Sequence, residues 1–294
     1  ELGLPSANEQ NTPVRVGDPG GWISVAAGLS HTCGIRNGTV LCWGRNASNQ
    51  AGGTSPNTLS PTPVALPAGF QATTMFADDD LSCAVGTQGG AARTYCWGEI
   101  TSDGNNSYIT ASAGANMPSF QIGSLAANPA GTRWSKIVAG ATHRCALRED
   151  GAAFCWGGNG SGQTGQVASP QVMPLNAQRV GTLAFIDIAA GVHTSCGIST
   201  NNEIYCWGEG ESIAPVRGAA SHLPALIPGI AGRFPRTVSI GFYHACVSYV
   251  DGGAACWGQD ENGAMGFANR YFEGFSPNRG SPVPINLQPG AVAP

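Results

Sequence analysis

Cys33-Gly-Ile-Arg-Asn-Gly-Thr-Val-Leu-Cys42-Trp43-Gly44 is the segment from which the architecture of this 294-residue chain follows. Asn37-Gly38 lies midway between the two cysteines and is the strongest short signal for a β-hairpin. An antiparallel hairpin places the cysteines directly opposite each other, with Cβ atoms about 4.5–5.5 Å apart. A disulfide needs about 3.5–4.5 Å, so a modest adjustment joins them. The stretch therefore predicts a disulfide-bridged hairpin.

The same pattern occurs five times and uses all ten cysteines of the chain. The later pairs also centre on turn-forming residues: Gly89-Gly90, Asp150-Gly151, Asn201 and Asp251-Gly252. Zinc binding is the alternative interpretation, but the chain has no Cys-x-x-Cys motif. The predicted disulfides are Cys33–Cys42, Cys83–Cys96, Cys145–Cys155, Cys196–Cys206 and Cys246–Cys256. Paired cysteines favour an oxidising compartment, and hence an extracellular or cell-surface location.

The composition excludes several classes of protein. Hydrophobic residues make up 42% and charged residues 11% of the chain, with a net charge of −4, which excludes a disordered protein. There are only 14 basic residues and no basic run, so nucleic-acid binding is not expected. No apolar run approaches the length of a membrane helix, so this segment is not expected to insert into a membrane. The first residues show no signal-peptide pattern, and a secreted form would already have lost it.

The cysteine hairpins belong to a longer repeat. The first cysteines of successive pairs are 50, 62, 51 and 50 residues apart, a period typical of propellers and solenoids. Each unit reads as an aromatic residue, a β-branched strand, Ala-Gly, a histidine, the hairpin, a Gly/Asn-rich loop and a Pro-led strand. We predict an all-β protein, a β-propeller with blades of about 50 residues. The predicted limits are 1–21 (the tail of a preceding blade), 22–69, 70–133, 134–184, 185–233 and 234–294.

Alternation along the hairpin makes both faces of each blade apolar. In the first unit one face carries Cys33, Ile35, Val40 and Cys42, and the other carries Leu41 and Trp43. A sheet with two apolar faces is expected between two neighbouring sheets. We interpret the recurring tryptophans as packing between blades rather than as a ladder that stacks a ligand.

The sequence offers no constellation for catalysis. One histidine recurs in four units, and this recurrence indicates a structural role in which each imidazole bonds the backbone of its own blade; these are His31, His143, His193 and His244. A catalytic histidine would need unlike partners gathered at one site. Nucleophile-elbow, phosphate-loop and zinc-protease motifs are all missing. We expect no enzyme activity, no cofactor and no bound metal.

The motifs resemble a known repeat. His-Thr-Cys, Asp/Asn-Gly, Cys-Trp-Gly-x-Asn and Gly-Gln-x-Gly followed by Thr/Ser-Pro-Val closely resemble the regulator of chromosome condensation repeat, over nearly the whole chain. The cysteine-bearing version is similar to a secreted form seen in bacterial surface proteins and, more distantly, in crinkly-type receptor ectodomains of plants. The resemblance implies a β-propeller, commonly of seven blades, whose rims bind other proteins.

Two units depart from the repeat and are where we predict binding surface. The second has Asp78-Asp79-Asp80-Leu81 in place of Gly-x-x-His, and a polar insertion from Glu99 to Asn116. The fourth has Thr194 in the histidine position and lacks the Gly-Gln-x-Gly loop. An exposed acidic loop is favoured over a calcium site for the three aspartates. The predicted binding residues are Asp78, Asp79, Asp80, Tyr108, Glu209 and Glu211.

The two ends of the sequence resemble the same half of a unit. Glu1-Leu2-Gly3 and the Pro-led stretch Thr12–Val16 match the second half, and Ser281–Leu287 is again a Pro-led strand. We therefore expect five complete hairpin units and part of another. The intact protein would then be longer, with six or seven blades, or another copy or chain would complete the propeller.

Four sites fit the Asn-x-Ser/Thr acceptor pattern for N-glycosylation, about one or two more than chance gives. They are Asn37, Asn46, Asn105 and Asn159, of which Asn37 and Asn159 are at predicted turns that would tolerate a glycan.

The leading functional hypothesis is a non-enzymatic extracellular module that binds other proteins through its rim loops, within a larger assembly. A secreted protein inhibitor is an alternative, which would need exposed aromatic residues on one rim; the candidates are Tyr108, Tyr243, Tyr271, Phe272 and Phe275. A receptor ectodomain is a further alternative. Nucleotide exchange on a small GTPase is disfavoured, because that activity belongs to a reducing compartment and the cysteines are paired.

Overall fold

The computed structural model describes residues 3, 15–16, 20–52, 55–78, 80–102, 108–111, 120–121, 133–168, 177–209, 221–228, 232–241, 243–258 and 279–285. Every regular element among them is a β-strand. No helix in this part of the chain is long and apolar enough to cross a membrane. The chain divides into two compact units, Glu1–Ala139 and Gly140–Pro294.

The first sheet of the first unit is the four-stranded blade that the sequence predicts. Its strands follow one another in chain order and are all antiparallel: β1 (Trp22–Ala27), β2 (His31–Arg36), β3 (Thr39–Arg45) and β4 (Asn57–Pro63). Asn37 and Gly38 both have positive φ, 49° and 76°. A two-residue hairpin turn of the twist-compatible type requires this conformation at both positions.

The second sheet of this unit contains the insertion. Its strands are β5 (Phe70–Asp78), β6 (Leu81–Gln88), β7 (Ala91–Ser102), β8 (Tyr108–Ala111) and β9 (Phe120–Gln121). β9 pairs with β7 opposite Cys96, the place that β4 takes opposite Cys42. β8 pairs instead with the end of β7, where Ser102 is opposite Tyr108. The insertion therefore lengthens β7 and adds a strand beside it. The last strand of the unit is β10 (Trp134–Ala139).

Two sheets make up the described part of the second unit. In the first, consecutive strands are neighbours: β11 (His143–Arg148), β12 (Ala152–Gly157), β13 (Gln178–Ala190), β14 (Thr194–Ser199), β15 (Ile204–Gly208) and β16 (Ser221–Leu226). β13 pairs with β12 through its first half and with β14 through its second half. The second sheet consists of β17 (Pro235–Ile240), β18 (His244–Tyr249), β19 (Ala254–Gly258) and β20 (Arg279–Ile285).

The five cysteine pairs lie directly opposite each other in their hairpins and form disulfides. Their Cα atoms are 4.0–4.1 Å apart. Four of the motif tryptophans are at most 2% exposed: Trp97, Trp156, Trp207 and Trp257. Trp43 is 4% exposed. The interpretation of the tryptophans as core packing is confirmed.

The glycine after each tryptophan is required by the backbone. Gly208 has φ of 105°, a left-handed region that residues with a Cβ rarely adopt. A Cβ at Gly208 would also overlap the carbonyl oxygen of His193, which directly precedes the opposite strand. Gly98 has the same relation to the carbonyl of Asp80. The Cys-Trp-Gly motif therefore combines a bridge, a packing residue and a position that only glycine fills without strain.

Candidate functional site

The recurring histidine of the first blade bonds the neighbouring blade. His31 Nε2 lies 2.8 Å from the hydroxyl of Ser82, and this hydroxyl donates to the carbonyl of Gln50 at 2.9 Å. Trp97 Nε1 donates to the same carbonyl at 3.0 Å. The single hydroxyl proton of Ser82 is used on the carbonyl, so His31 Nε2 carries the proton of the imidazole. We call this arrangement of histidine, serine, glutamine carbonyl and tryptophan a junction link.

A second junction link, in the other unit, has the same geometry. His143 Nε2 lies 2.7 Å from Ser195 Oγ. The Ser195 hydroxyl and Trp207 Nε1 each donate to the carbonyl of Gln163 at 3.0 Å. In both links the histidine and the glutamine come from one blade, and the serine and the tryptophan come from the next. Each link therefore joins consecutive blades through one buried carbonyl.

For His31 and His143, the prediction that the histidine bonds its own blade's backbone was wrong. His31 is two positions before Cys33 on the same strand, so both side chains point to the same face of the sheet. That face packs against the next blade, and Cys33 Sγ itself lies 3.3 Å from Ser82 Oγ.

Packing also explains the glycine of the Ala-Gly that precedes the histidine. A Cβ at Gly140 would lie 2.5 Å from Cε1 of His143.

Burial keeps the two linked histidines neutral. The side chains are 1% and 0% exposed. Desolvation lowers the pKa of His31 to about 4, although the charge of Asp80 opposes the shift. Desolvation lowers the pKa of His143 to about 3, with smaller contributions from Arg144 and His193. A buried neutral imidazole whose Nε2 proton is already donated is a structural group, so these histidines have no role as general bases.

The pKa values predict that acid weakens the fold. An unfolded histidine titrates near 6.5, whereas the folded pKa values are about 4 and about 3, so below pH 6.5 the unfolded chain binds more protons. The stabilisation is therefore complete above pH 6.5 and is lost as the pH falls toward the folded values. For each histidine, a fall of one pH unit in this window should lower the free energy of unfolding by at most about 1.4 kcal/mol. Urea unfolding at pH 7, 6, 5 and 4 measures this slope.

His143→Gln is the matched variant for the acid experiment. The glutamine amide can still donate to Ser195 Oγ but does not titrate. We expect its slope between pH 6.5 and 4 to be shallower than that of the wild-type chain. Equal slopes in the two proteins would contradict the assignment of His143 as a buried neutral group.

Where the histidine of the link is replaced, the serine is replaced as well. Thr194 takes the histidine position in the fourth unit, and its hydroxyl donates to the carbonyl of Glu209 at 3.1 Å. Ala245 takes the serine position in the unit that follows, and it is 0% exposed. An unpaired buried hydroxyl would cost free energy. The joint loss of both partners avoids that cost.

Asp80 is a buried structural residue, which corrects its prediction as part of an exposed acidic binding loop. Its side chain is 7% exposed. Its oxygens accept hydrogen bonds from Gln50 Nε2 at 2.7 Å and Ser48 Oγ at 3.3 Å, and Arg45 Nη1 lies 3.7 Å away. A buried carboxylate needs such partners. Asp80 therefore fastens the loop of the first blade to the second blade. Asp79 and the side chain of Asp78 lie outside the described residues.

The structure does not gather the other predicted binding residues into a site. Tyr108 begins β8, and its side chain lies outside the described residues. Glu209 is partly buried. Its backbone N–H donates to the carbonyl of His193, and its carbonyl accepts a hydrogen bond from the Thr194 hydroxyl. Glu211 also lies outside the described residues. Among the side chains that the structure describes, no group of three or more His, Cys, Asp or Glu residues could hold a metal ion.

Two of the four glycosylation candidates are buried loop supports, which corrects their prediction as acceptors. Asn46 is 3% exposed, accepts from the backbone of Ala51 and donates to the carbonyl of Ser55. Asn159 is also 3% exposed and makes the same pair of contacts, with Thr164 and Val167. These asparagines are the last residue of Cys-Trp-Gly-x-Asn and brace the following loop, so the folded chain leaves no room for a glycan there.

The two remaining candidates are unaffected by these contacts. Asn37 is exposed at the hairpin turn. Asn105 lies outside the described residues.

Sequence reasoning missed the serine and the glutamine of the junction link. A signal was present, because Ser82 and Ser195 each stand directly before the first cysteine of a unit. In both cases the histidine occurs one unit earlier. Comparing consecutive units as pairs, rather than each unit alone, would have identified the link.

The fold and the links define a class of protein: a repeat protein of four-stranded blades, each bridged by a disulfide, which is a β-propeller. Three segments of the chain, residues 22–50, 134–163 and 185–212, match the family model of the regulator of chromosome condensation (RCC1) repeat. The chain thus contains RCC1-type repeats in a β-propeller fold, and the resemblance seen in its motifs is confirmed.

Relatives and solved structures agree with this assignment. The ultraviolet-B receptor UVR8 of Arabidopsis thaliana is 24% identical over 251 residues, which cover 83% of this chain and 54% of the receptor. The chain therefore spans about half the length of that relative. Human WBSCR16 superposes with a TM-score of 0.73 at 16% identity, over 96% of this chain and 73% of the human chain. Yeast RCC1 (Prp20), solved bound to Kap60, gives 0.71 at 19%, over 91% and 64%.

Proposed function

We propose that this chain is a non-enzymatic protein-interaction module that works in an oxidising environment, outside the cell or on its surface. The observation that carries the proposal is the state of the cysteines. All ten are joined within their own hairpins, and nine of them are at most 1% exposed. Disulfides of this kind persist in secreted and surface proteins and are rare in the cytosol.

The internal structure supports recognition rather than catalysis. The buried histidines are committed to junction links, and Asp80 is committed to a loop contact. These groups rigidify the connections between blades and leave the loops at the blade ends to vary. Rigid scaffolds that present variable loops are a common design for binding proteins. We propose the blade limits 22–69, 70–133, 134–184, 185–233 and 234–294 for this scaffold.

The insertion of the second blade is the element that we assign to partner recognition. It extends β7 to Ser102 and adds β8, which pairs with the end of β7. Among the residues that the structure describes, no other blade shows an added strand of this kind. An extra strand pair on a rigid blade presents a preformed surface, which reduces the entropy lost on binding. A receptor ectodomain or a secreted inhibitor would use the same element.

A loop exchange tests the proposed function. Residues 99–119 would be replaced by the equivalent connection of the first blade, Arg45–Pro61, because both connections lead from Cys-Trp-Gly to the outer strand. The native and exchanged chains, each with a photo-crosslinker, would be compared for capture of partners from the extracellular fraction of the source. We expect the exchanged chain to lose at least tenfold in captured partner, while its melting temperature stays within a few degrees.

Two results would contradict the proposed function. Equal capture by the native and exchanged chains would remove the insertion from the binding surface. Native protein isolated with free thiols from a reducing compartment would remove the extracellular location. Mass measurement after alkylation, with and without reduction, counts the free thiols directly.

A further inference from the structure

One face of the first blade is open where the corresponding face of every other blade is covered. Val25 on β1 is 60% exposed. The residues at the same position in the other four units are 1–4% exposed: Met75, Ile137, Ile188 and Val238. Thr32 is also partly exposed. Its four counterparts are 0–2% exposed: Ser82, Arg144, Ser195 and Ala245. The open face is defined here by Val25 and Thr32.

Blades within each unit show what covers this face elsewhere. Met75 packs in one core cluster with Cys33 and Cys42 of the preceding blade. Val238 packs in the same way with Cys196 and Cys206. At the position of Thr32, two other units have Ser82 and Ser195. Each of these hydroxyls accepts a hydrogen bond from Nε2 of a histidine in the preceding blade. The natural cover of such a face is therefore a disulfide hairpin with a histidine two positions before its first cysteine.

The outer part of a preceding blade is already in place beside the open face. A Cβ on Gly3 would lie 2.7 Å from Val16 Cγ1, as a Cβ on Gly52 would lie 2.8 Å from Val64 Cγ1. Gly3 also lies against Trp43, because its Cβ would be 2.7 Å from the indole Nε1. Trp43 is consequently only 4% exposed. Gly3 and Val16 thus occupy the positions that Gly52 in the loop and Val64 after the outer strand have in the first blade. The part of the open face that remains uncovered is the part that an inner hairpin covers in the other blades.

We propose that the open face binds the three inner strands of a cysteine-bridged blade of this same repeat type, contributed by a separate partner protein. The hairpin would place its disulfide on Val25 and its histidine Nε2 on the Thr32 hydroxyl. The geometry is that of the described blade contacts, with Thr32 in place of serine. This inference rests on the proposed function as a protein-interaction module, and it names the chemistry of one partner.

The probe for this proposal is a hairpin with the sequence of residues 22–45, which contains His31 and both cysteines of its unit. It would be fused ahead of Glu1 through a flexible Gly/Ser linker, since tethering raises its effective concentration to about the millimolar range. Hydrogen exchange of residues 22–27 in the original blade reports whether the face is covered. We expect at least a tenfold slowing of exchange there, and a higher melting temperature than that of the unfused chain.

Matched variants separate specific docking from general stabilisation. Val25→Asp in the recipient blade should abolish the protection, and because Val25 is exposed the unfused variant should fold normally. Thr32→Val in the recipient, or His31→Ala in the fused probe, should reduce the protection several-fold. Unchanged exchange of residues 22–27 in a fused chain whose extra disulfide has formed would overturn the proposal. Self-association of the unfused chain that is lost on Val25→Asp would also overturn it, because a second copy would then be the occupant.

The experiment is independent of the test of the proposed function. Partner capture through the insertion should survive Val25→Asp. Protection by the fused hairpin should survive exchange of residues 99–119. A negative result in one of these two experiments therefore does not affect the conclusion from the other.

Discussion

Replacing Trp207 by alanine is expected to lower the free energy of unfolding by about 3–5 kcal/mol. The indole is 1% exposed, and its ring centroid lies 5.8 Å from that of Phe185. Its Nε1 also donates to the carbonyl of Gln163. The substitution therefore removes a large buried surface, leaves a cavity and takes one of two donors from a buried acceptor. Urea unfolding followed by tryptophan fluorescence and circular dichroism measures the loss.

Trp207→Phe is the control for this prediction. Phenylalanine retains much of the apolar surface but has no N–H for the Gln163 carbonyl. The carbonyl still accepts from Ser195, so we expect a smaller loss, about 1–2 kcal/mol. If alanine and phenylalanine cost the same small amount, the tryptophan would not be a packing residue of the junction.

Removing the third disulfide by Cys145→Ala and Cys155→Ala is expected to cost about 3 kcal/mol or more. The bridge closes a loop with a sequence separation of 10 residues, and loop entropy alone gives roughly 3 kcal/mol for a loop of this size. Both cysteines are 0% exposed, so the lost sulfur contacts add to the cost. Chemical denaturation of the double variant, compared with the wild-type chain, gives the difference.

The fifth disulfide provides the matched comparison. Cys246–Cys256 has the same sequence separation of 10 residues, so its loop-entropy contribution is the same. Cys246 is partly exposed, however, and less packing is lost when its bridge is removed. We expect Cys246→Ala with Cys256→Ala to cost less than the variant of the third bridge. An equal or greater cost would show that burial of the sulfurs contributes nothing.

Much of the fold could be predicted because its signals are local. A turn dipeptide at the centre of each hairpin fixes the register, and register fixes which cysteines meet. The period near 50 residues follows from the same landmarks. The insertion of the second unit was also visible as extra length, although its organisation as a lengthened β7 beside β8 was not.

The roles of polar residues were predicted less well, because their partners are distant in sequence. Asp80 was expected to be exposed, yet its partners belong to the loop of the preceding blade. Asn46 and Asn159 fit an acceptor pattern for sugars, but their amides are used inside the loops. The sequence gives the residue type in each case. Burial decides its role, and burial depends on how blades pack.

The hairpins, their bridged cysteines and the apolar faces of each blade follow from the amino-acid sequence alone, since those depend on residues within about ten positions of each other. Three features emerge only in the folded chain: His31 meets Ser82, His143 meets Ser195, and Val25 remains open while its counterparts are covered. These contacts join residues about 50 positions apart, where chain connectivity imposes no geometry. The packing of one sheet on the next decides which side chains meet there.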